Sequence, residues 1–190
     1  MSPVKLIEYL NEHKINTICF VASALTIFTK LSVFEYVKPK YLRVIAFGGE
    51  VFPLNHLKQW MKACPKAKFI NLYGTTECTG MSSYYVVDNV ERLENSIPIG
   101  KPLPDTEILL LDEKGKTVGK GLQGEICIGG TGLALGYYKD VEKTKEKFVN
   151  NPLNDGMSKL IYKTGDIGYY GEDGEIYFTR RKDNYCFLNY

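Results

Sequence analysis

The segment Leu-Arg-Val-Ile-Ala-Phe at 42–47 closes on four apolar residues with no polar alternation, the pattern of a strand covered on both faces. Such a strand needs helices on either side of its sheet, and the flanking sequence supplies them. Ser2 and Pro3 form a helix-start signal, with Val4, Ile7 and Leu10 following at helical spacing. INTICF (15–20) reads as a strand and ASALTIFTKL (22–31) as a helix. Gly48-Gly49-Glu50 makes a turn, Pro53 opens the helix PLNHLKQWMKAC, and AKFINL (67–72) is the next strand. Strand, helix, strand, helix, strand implies a parallel sheet with right-handed crossovers.

After Val87 the texture changes. DNVERLENS is charged and loop-like, and from Ile97 short strands alternate with turn signals: TEILLLD before EKGK, GEICIGG, GYY before GEDGEI, and IYF. Asp173-Gly174 is a hairpin signal, and DVEKTKEKFV (140–149) is the one helical pattern. The predicted fold class is α/β: a parallel α/β subdomain over 1–90, then a smaller, mostly antiparallel β subdomain over 97–183 resembling a distorted barrel or half-open sandwich.

Composition excludes several function classes. Twenty-four basic and 22 acidic residues give a net charge of +2 over 190 residues, so no single-sign field points to nucleic acid or an anionic membrane. No apolar run approaches the roughly 20 residues of a membrane span, and the polar start is unlike a signal peptide. Five cysteines, Cys19, Cys64, Cys78, Cys127 and Cys186, have no CxxC spacing, the expectation for reduced thiols in the cytoplasm rather than a disulfide frame or zinc site. His13 and His56 fall in expected surface helices, away from any cysteine pair.

The chemistry-bearing stretch is NLYGTTECTG (71–80). It starts at the C-terminal end of a strand, the edge at which open α/β sheets present ligands. Thr75, Thr76 and Thr79 supply hydroxyls, the glycines allow backbone N–H groups to approach an anion, and Glu77 is a hard oxygen ligand. Phosphate with Mg²⁺ wants this combination; a polar crossover loop without a ligand is the plainer alternative. It is not the GxxxxGK[ST] pattern, since no lysine follows the second glycine. In YKTGD (162–166), Asp166 is suited to a vicinal diol such as ribose, although an Asx-turn between strands has the same sequence. RRKD (180–183) stacks cations before an acid, as many solvated surfaces do, and the GGE turn is explained by glycine's freedom alone.

Taken together, GGEVFP, NLYGTTE, GEICIGGTGLALGYY and YKTGDIGYYGEDGEIYFTRRKD resemble, in order and spacing over about 135 residues, the core motifs of the adenylate-forming superfamily. Its members are nonribosomal peptide synthetase adenylation domains, D-alanine–carrier protein ligases and acyl-CoA synthetases. The resemblance implies binding of ATP or AMP through Gly48, Gly49, Glu50, Asn71, Leu72, Tyr73, Gly74, Thr75, Thr76, Asp166 and Arg181. Tyr73 would flank the adenine, Thr76 would contact the α-phosphate, Glu77 would hold Mg²⁺, and Asp166 and Arg181 would reach the ribose. Thr76 and Glu77 would be catalytic. Val21, Ile45, Phe47, Leu72, Gly80 and Met81 would line an apolar pocket for a small carboxylic or amino acid.

The implied reaction is attack of the acid's carboxylate on the ATP α-phosphate, then transfer to a phosphopantetheine thiol on a carrier domain or to coenzyme A. An acyl-CoA or aryl-acid ligase is the alternative within the superfamily; a non-catalytic nucleotide-binding or structural remnant is the alternative outside it. The departures are specific. The superfamily's upstream Ser/Thr/Gly-rich phosphate loop and ammonium-binding aspartate are absent, and the C-terminal subdomain with its lysine does not follow. Arg180 stands where glycine is usual. Asp183 matches the hinge and 184–190 the start of a C-terminal subdomain. The chain is therefore expected to be the second half of an adenylation core, inactive alone.

Overall fold

A computed structural model describes residues 2–153 and 158–182; the Asp183 hinge position and residues 184–190 lie outside the described residues. The chain divides into two compact units, one of Met1–Leu72 and Tyr85–Ile97, the other of Tyr73–Tyr84 and Pro98–Tyr190.

The first unit alternates helices and strands: α1 Pro3–Glu12, β1 Thr17–Val21, α2 Ala22–Lys30, α3 Val33–Tyr36, β2 Val44–Gly48, α4 Leu54–Ala63 and β3 Lys68–Tyr73, whose last residue belongs to the second unit. Strands β1, β2 and β3 are parallel, with Ile45 between Ile18 and Phe69 and Phe47 between Phe20 and Asn71. Ser2 caps α1 by accepting the Lys5 amide, with Pro3 following in the first turn, where its missing N–H is not needed. Ile7, Leu25, Phe47, Leu57 and Trp60 have no exposed surface, as expected of helices laid on a doubly covered sheet. Trp60 meets Phe28 and Phe34 edge-on, at centroid separations of 5.3 and 4.7 Å, and its indole N–H donates to the Leu25 carbonyl at 2.9 Å. That bond satisfies the one polar atom of a buried indole. His56, in α4, is half-buried and its Nδ1 lies 2.7 Å from the Thr29 hydroxyl; burial and then the nearby Lys30 charge lower its pKa.

The second unit contains β4 Ser83–Val87 in its first two residues, then β5 Lys101–Pro102, β6 Thr106–Leu111, β7 Gln123–Gly130, α5 Val141–Lys147, β8 Phe148–Asn150, β9 Leu160–Tyr170 and β10 Ile176–Arg181. Its sheet is antiparallel in the order β10-β9-β7-β6, with β8 also on β9. The expected mixed architecture of a parallel α/β part and an antiparallel β part is present.

Two local expectations need correction. The helix expected over 140–149 stops at Lys147 because Phe148 and Val149 pair with Tyr162 and Ile161 of β9. Five charged residues in VEKTKEK carry the helical pattern, but the apolar pair behind them is taken by the sheet. Thr164-Gly165-Asp166 is not a turn between two strands. It lies inside the eleven-residue β9 as a bulge: Cys127 pairs with Lys163 and Glu125 with Ile167, so three β9 residues stand opposite Ile126. Gly165, at φ 78°, provides the left-handed step.

Candidate nucleotide site

The bulge in β9 brings one predicted set of residues together. Asp166 is 6% exposed, and both of its carboxylate oxygens are engaged: Tyr73 donates its phenol to Oδ2 at 2.7 Å and Arg181 donates Nη1 to Oδ1 at 3.1 Å. Arg181 also reaches the Thr164 carbonyl at 3.4 Å. Tyr73 ends β3, Asp166 sits on the bulge of β9, and Arg181 ends β10 opposite Asp166 in the hairpin register. The bulge is tied down by the Thr164 hydroxyl, which donates to the Ile126 carbonyl at 2.7 Å and accepts the Asp166 amide at 2.9 Å. Burial, and after it the Asp166 charge, push the Tyr73 phenol well above its usual pKa. It stays a donor.

The Thr-rich loop folds into one short 3-10 turn, Thr76–Cys78, closed by the Gly80 amide on the Thr75 carbonyl at 2.8 Å and the Ser82 amide on the Tyr73 carbonyl at 2.7 Å. Its hydroxyls are used differently. Thr76 is exposed, Thr79 donates to the Gly132 carbonyl at 2.7 Å, and the buried Thr75 Oγ1 meets no hydrogen-bond partner among the described residues. Thr79 is therefore withdrawn from the set of donors open to an anion.

Glu77 accepts the Tyr137 hydroxyl on Oε1 at 2.6 Å, and the Tyr137 and Tyr162 hydroxyls are 3.2 Å apart. Burial alone would raise the Glu77 pKa, but the tyrosine and backbone hydrogen bonds outweigh it and the net shift is downward. The carboxylate is ionised at neutral pH. Among the described residues, no three His, Cys, Asp or Glu gather as a metal-binding group. A single ionised carboxylate suits Mg²⁺, which keeps several waters and takes its other oxygens from substrate phosphates.

Sequence reasoning did not single out Tyr137 or Tyr162, although both lie inside the quoted motifs; tyrosine alone carries no spacing signature. It also missed Glu125, 8% exposed on β7, which accepts the Gly165 amide at 3.1 Å and lies 3.5 Å from Lys182 and 3.9 Å from Lys163. These residues, with Glu146 and Lys147, line a cavity of about 340 Å³.

The remaining candidates belong to the first unit, except Gly74, Gly80 and Met81. Glu50 Oε2 accepts the Ser23 amide at 2.9 Å, in the first turn of α2, where a negative charge is favourable. Gly48 is buried with its Cα face against the Leu72 carbonyl, and Gly49 takes φ 78°. Asn71 and Leu72 are half-buried on β3. Of the expected pocket residues, Val21 and Met81 are exposed at 50% and 42%. Ile45 and Phe47 present no surface at all: both are packed in the apolar core, Phe47 against Phe52 at a centroid distance of 4.9 Å. Both therefore lie within the apolar core of the first unit.

A family model described as AMP-binding enzyme matches residues 1–138. The chain is 40% identical over 143 residues to surfactin synthase subunit 1 of Bacillus subtilis (strain 168), covering 75% of this chain and 4% of that protein. It is 37% identical over 175 residues to bacitracin synthase 1 of Bacillus licheniformis, covering 92% and 3%. Among solved structures, PA1221, an NRPS protein containing adenylation and PCP domains, superposes at a TM-score of 0.87 with 31% identity over all of this chain and 38% of that one. The chain thus spans well under half the length of each of these relatives.

Proposed function

The chain belongs to the family of AMP-binding enzymes, and from that premise we propose that it forms part of an adenylation domain that activates a carboxylic acid, an amino acid in the first instance, as its acyl-adenylate. The acid's carboxylate oxygen attacks the α-phosphorus of ATP, the bond to the β,γ-pyrophosphate breaks, and pyrophosphate leaves. A phosphopantetheine thiol then attacks the acyl carbon, forming a thioester and releasing AMP. The peptide synthases among the relatives, and the carrier domain joined to the adenylation domain in PA1221, support a carrier-bound thiol over coenzyme A.

In this reading the second unit holds the nucleoside. Asp166 accepts the two ribose hydroxyls, Arg181 fixes that carboxylate, and Tyr73 lends a ring to the adenine while its hydroxyl holds Asp166. Thr76, with its exposed hydroxyl, faces the α-phosphate, and Thr75 stands beside it in the same loop. Glu77 holds Mg²⁺, which supplies charge neutralisation on the phosphates. These residues act by positioning and by presenting preorganised charge. Gly48, Gly49, Asn71 and Leu72 border the nucleotide through backbone, and Glu50 does so only by shaping their turn. Val21, Leu72, Gly80 and Met81 are proposed for the acid. Asp183 is proposed as the hinge.

The observation that carries the reading is the Tyr73–Asp166–Arg181 constellation, assembled from the ends of β3 and β10 and the bulge of β9. Calorimetric titration of the chain with AMP tests it. Binding should weaken by about tenfold or more in Asp166→Ala, the loss of two hydrogen bonds to a charged group at roughly 1.5 kcal/mol or more in total. Equal affinity in the variant would remove the ribose assignment.

A further inference from the structure

We propose that Tyr137, backed by Tyr162, is a positioning residue that occupies one carboxylate oxygen of Glu77 and thereby presents the other to a small divalent cation, disfavouring Ca²⁺. The inference rests on Glu77 being the cation's ligand.

The 2.6 Å bond from the Tyr137 hydroxyl to Oε1 is a short hydrogen bond to an ionised group, the strong kind. It leaves Oε2 as the oxygen outside that bond. The Tyr162 hydroxyl at 3.2 Å extends the chain to a side chain that is 5% exposed, and hydrogen bonds in series polarise one another. Tyr137 is itself held from several sides. Its amide donates to the Thr144 hydroxyl at 2.9 Å, its ring meets Phe148 at a centroid distance of 5.8 Å, and Lys143 Nζ stands 4.4 Å from the ring centroid. The backbone near Tyr137 is tied to the acid as well, since the Ala134 amide donates to the Glu77 carbonyl at 2.8 Å. The phenol is therefore aimed by α5, β8 and β9 together, not by the loop alone.

The consequence concerns coordination. Ca²⁺ readily takes both oxygens of one carboxylate at a flexible, high coordination number, whereas Mg²⁺ takes one oxygen in a near-octahedral shell. In two-oxygen chelation by Glu77 the cation would compete with the Tyr137 hydroxyl for Oε1. Outer partners that orient a ligating carboxylate commonly change metal affinity by ten- to a hundredfold.

The test uses the full chain with AMP and glutamate labelled at ¹³Cδ, the Glu77 resonance being assigned by its loss in Glu77→Gln. Mn²⁺ broadens the carboxylate it touches, and Mg²⁺ or Ca²⁺ is titrated in to reverse the broadening. In the natural chain Mg²⁺ should displace Mn²⁺ at concentrations about tenfold below Ca²⁺. Tyr137→Phe keeps the ring and removes only the hydroxyl; the preference for Mg²⁺, taken as the Ca²⁺/Mg²⁺ ratio of displacing concentrations, should fall by about threefold or more. Tyr162→Phe should move it less and in the same direction, a gradation that a merely structural role would not produce. An unchanged ratio in both variants overturns the positioning role while leaving Glu77 a ligand. Absence of Mn²⁺ broadening in the natural chain overturns the Glu77 assignment itself, and the positioning role with it.

Discussion

At the scale of single residues, Glu77 and Asp166 are both carboxylates fixed by a tyrosine hydroxyl, yet their surroundings differ. Asp166 is almost wholly enclosed and has an arginine; Glu77 is half-buried and has a second tyrosine behind the first. The downward shift of the Glu77 pKa has a defined consequence for stability. A group whose folded pKa lies below its unfolded value stabilises the fold above the unfolded pKa, and that contribution disappears as pH falls through the folded one. The natural chain should therefore lose an increment on acidification below about pH 4.5 that Glu77→Gln does not lose. Solvent screening limits the increment to about 1 kcal/mol or less. Urea midpoints of the two proteins, measured from pH 6 down to pH 3, check this; a difference that stays constant with pH would contradict it. Glu77, Asp166 and Arg181 were legible in the sequence because motif order singled them out. Tyr137, Tyr162 and Glu125 were not: each acts by touching a motif residue brought near by the folding of β7, β9 and the segment before α5, and no local period records such a contact.

At the scale of elements, the Thr-rich loop uses its two glycines for different reasons. A Cβ on Gly74 would run into the Gly80 carbonyl oxygen and lie 2.7 Å from the Ser82 amide nitrogen, both backbone atoms unable to swing aside. At Gly80 a Cβ would meet nothing within 4 Å, but the residue sits at φ 87°. Gly74→Ala should therefore break the bond that closes the loop, Ser82 amide to Tyr73 carbonyl, and cost about 3 kcal/mol or more. Gly80→Ala should cost only the left-handed penalty of about 1 to 2 kcal/mol. Urea unfolding of both variants, with AMP titration of each, checks the order. Equal losses would mean that the loop relaxes around the added methyl. The same distinction marks how far elements could be read from sequence. Continuous apolar runs such as VIAF gave their strands directly, and the Ser2-Pro3 start gave α1. The bulge at Thr164–Asp166 could not be told from a turn, because glycine at positive φ serves both and only the partner strand decides. Phe148 and Val149 likewise continued a helical spacing until β9 took them as a strand.

At the scale of the whole molecule, the apolar residues form separate cores. Trp60 and its neighbours fill the first unit, and Leu110, Ile108 and Ile126 lie in a cluster of the second. Units with their own cores can lose stability separately, and a single unfolding free energy then ceases to describe the chain. Trp60 is the chain's single tryptophan and is fully buried in the first unit, so its emission follows that core. Leu110, fully buried in the second, becomes a cavity on substitution by alanine, at about 2 to 5 kcal/mol. Leu110→Ala should therefore lower the urea midpoint read by far-ultraviolet circular dichroism more than the midpoint read by Trp60 emission. The converse holds for Leu57→Ala, which opens a cavity in the core that contains Trp60: its emission midpoint should fall first. If both probes shift together in both variants, the two cores unfold as one cooperative unit, and nucleotide held by Asp166 and Arg181 would then stabilise the first unit as much as the second. If they separate, AMP should raise the circular dichroism midpoint while leaving the Trp60 midpoint nearly in place.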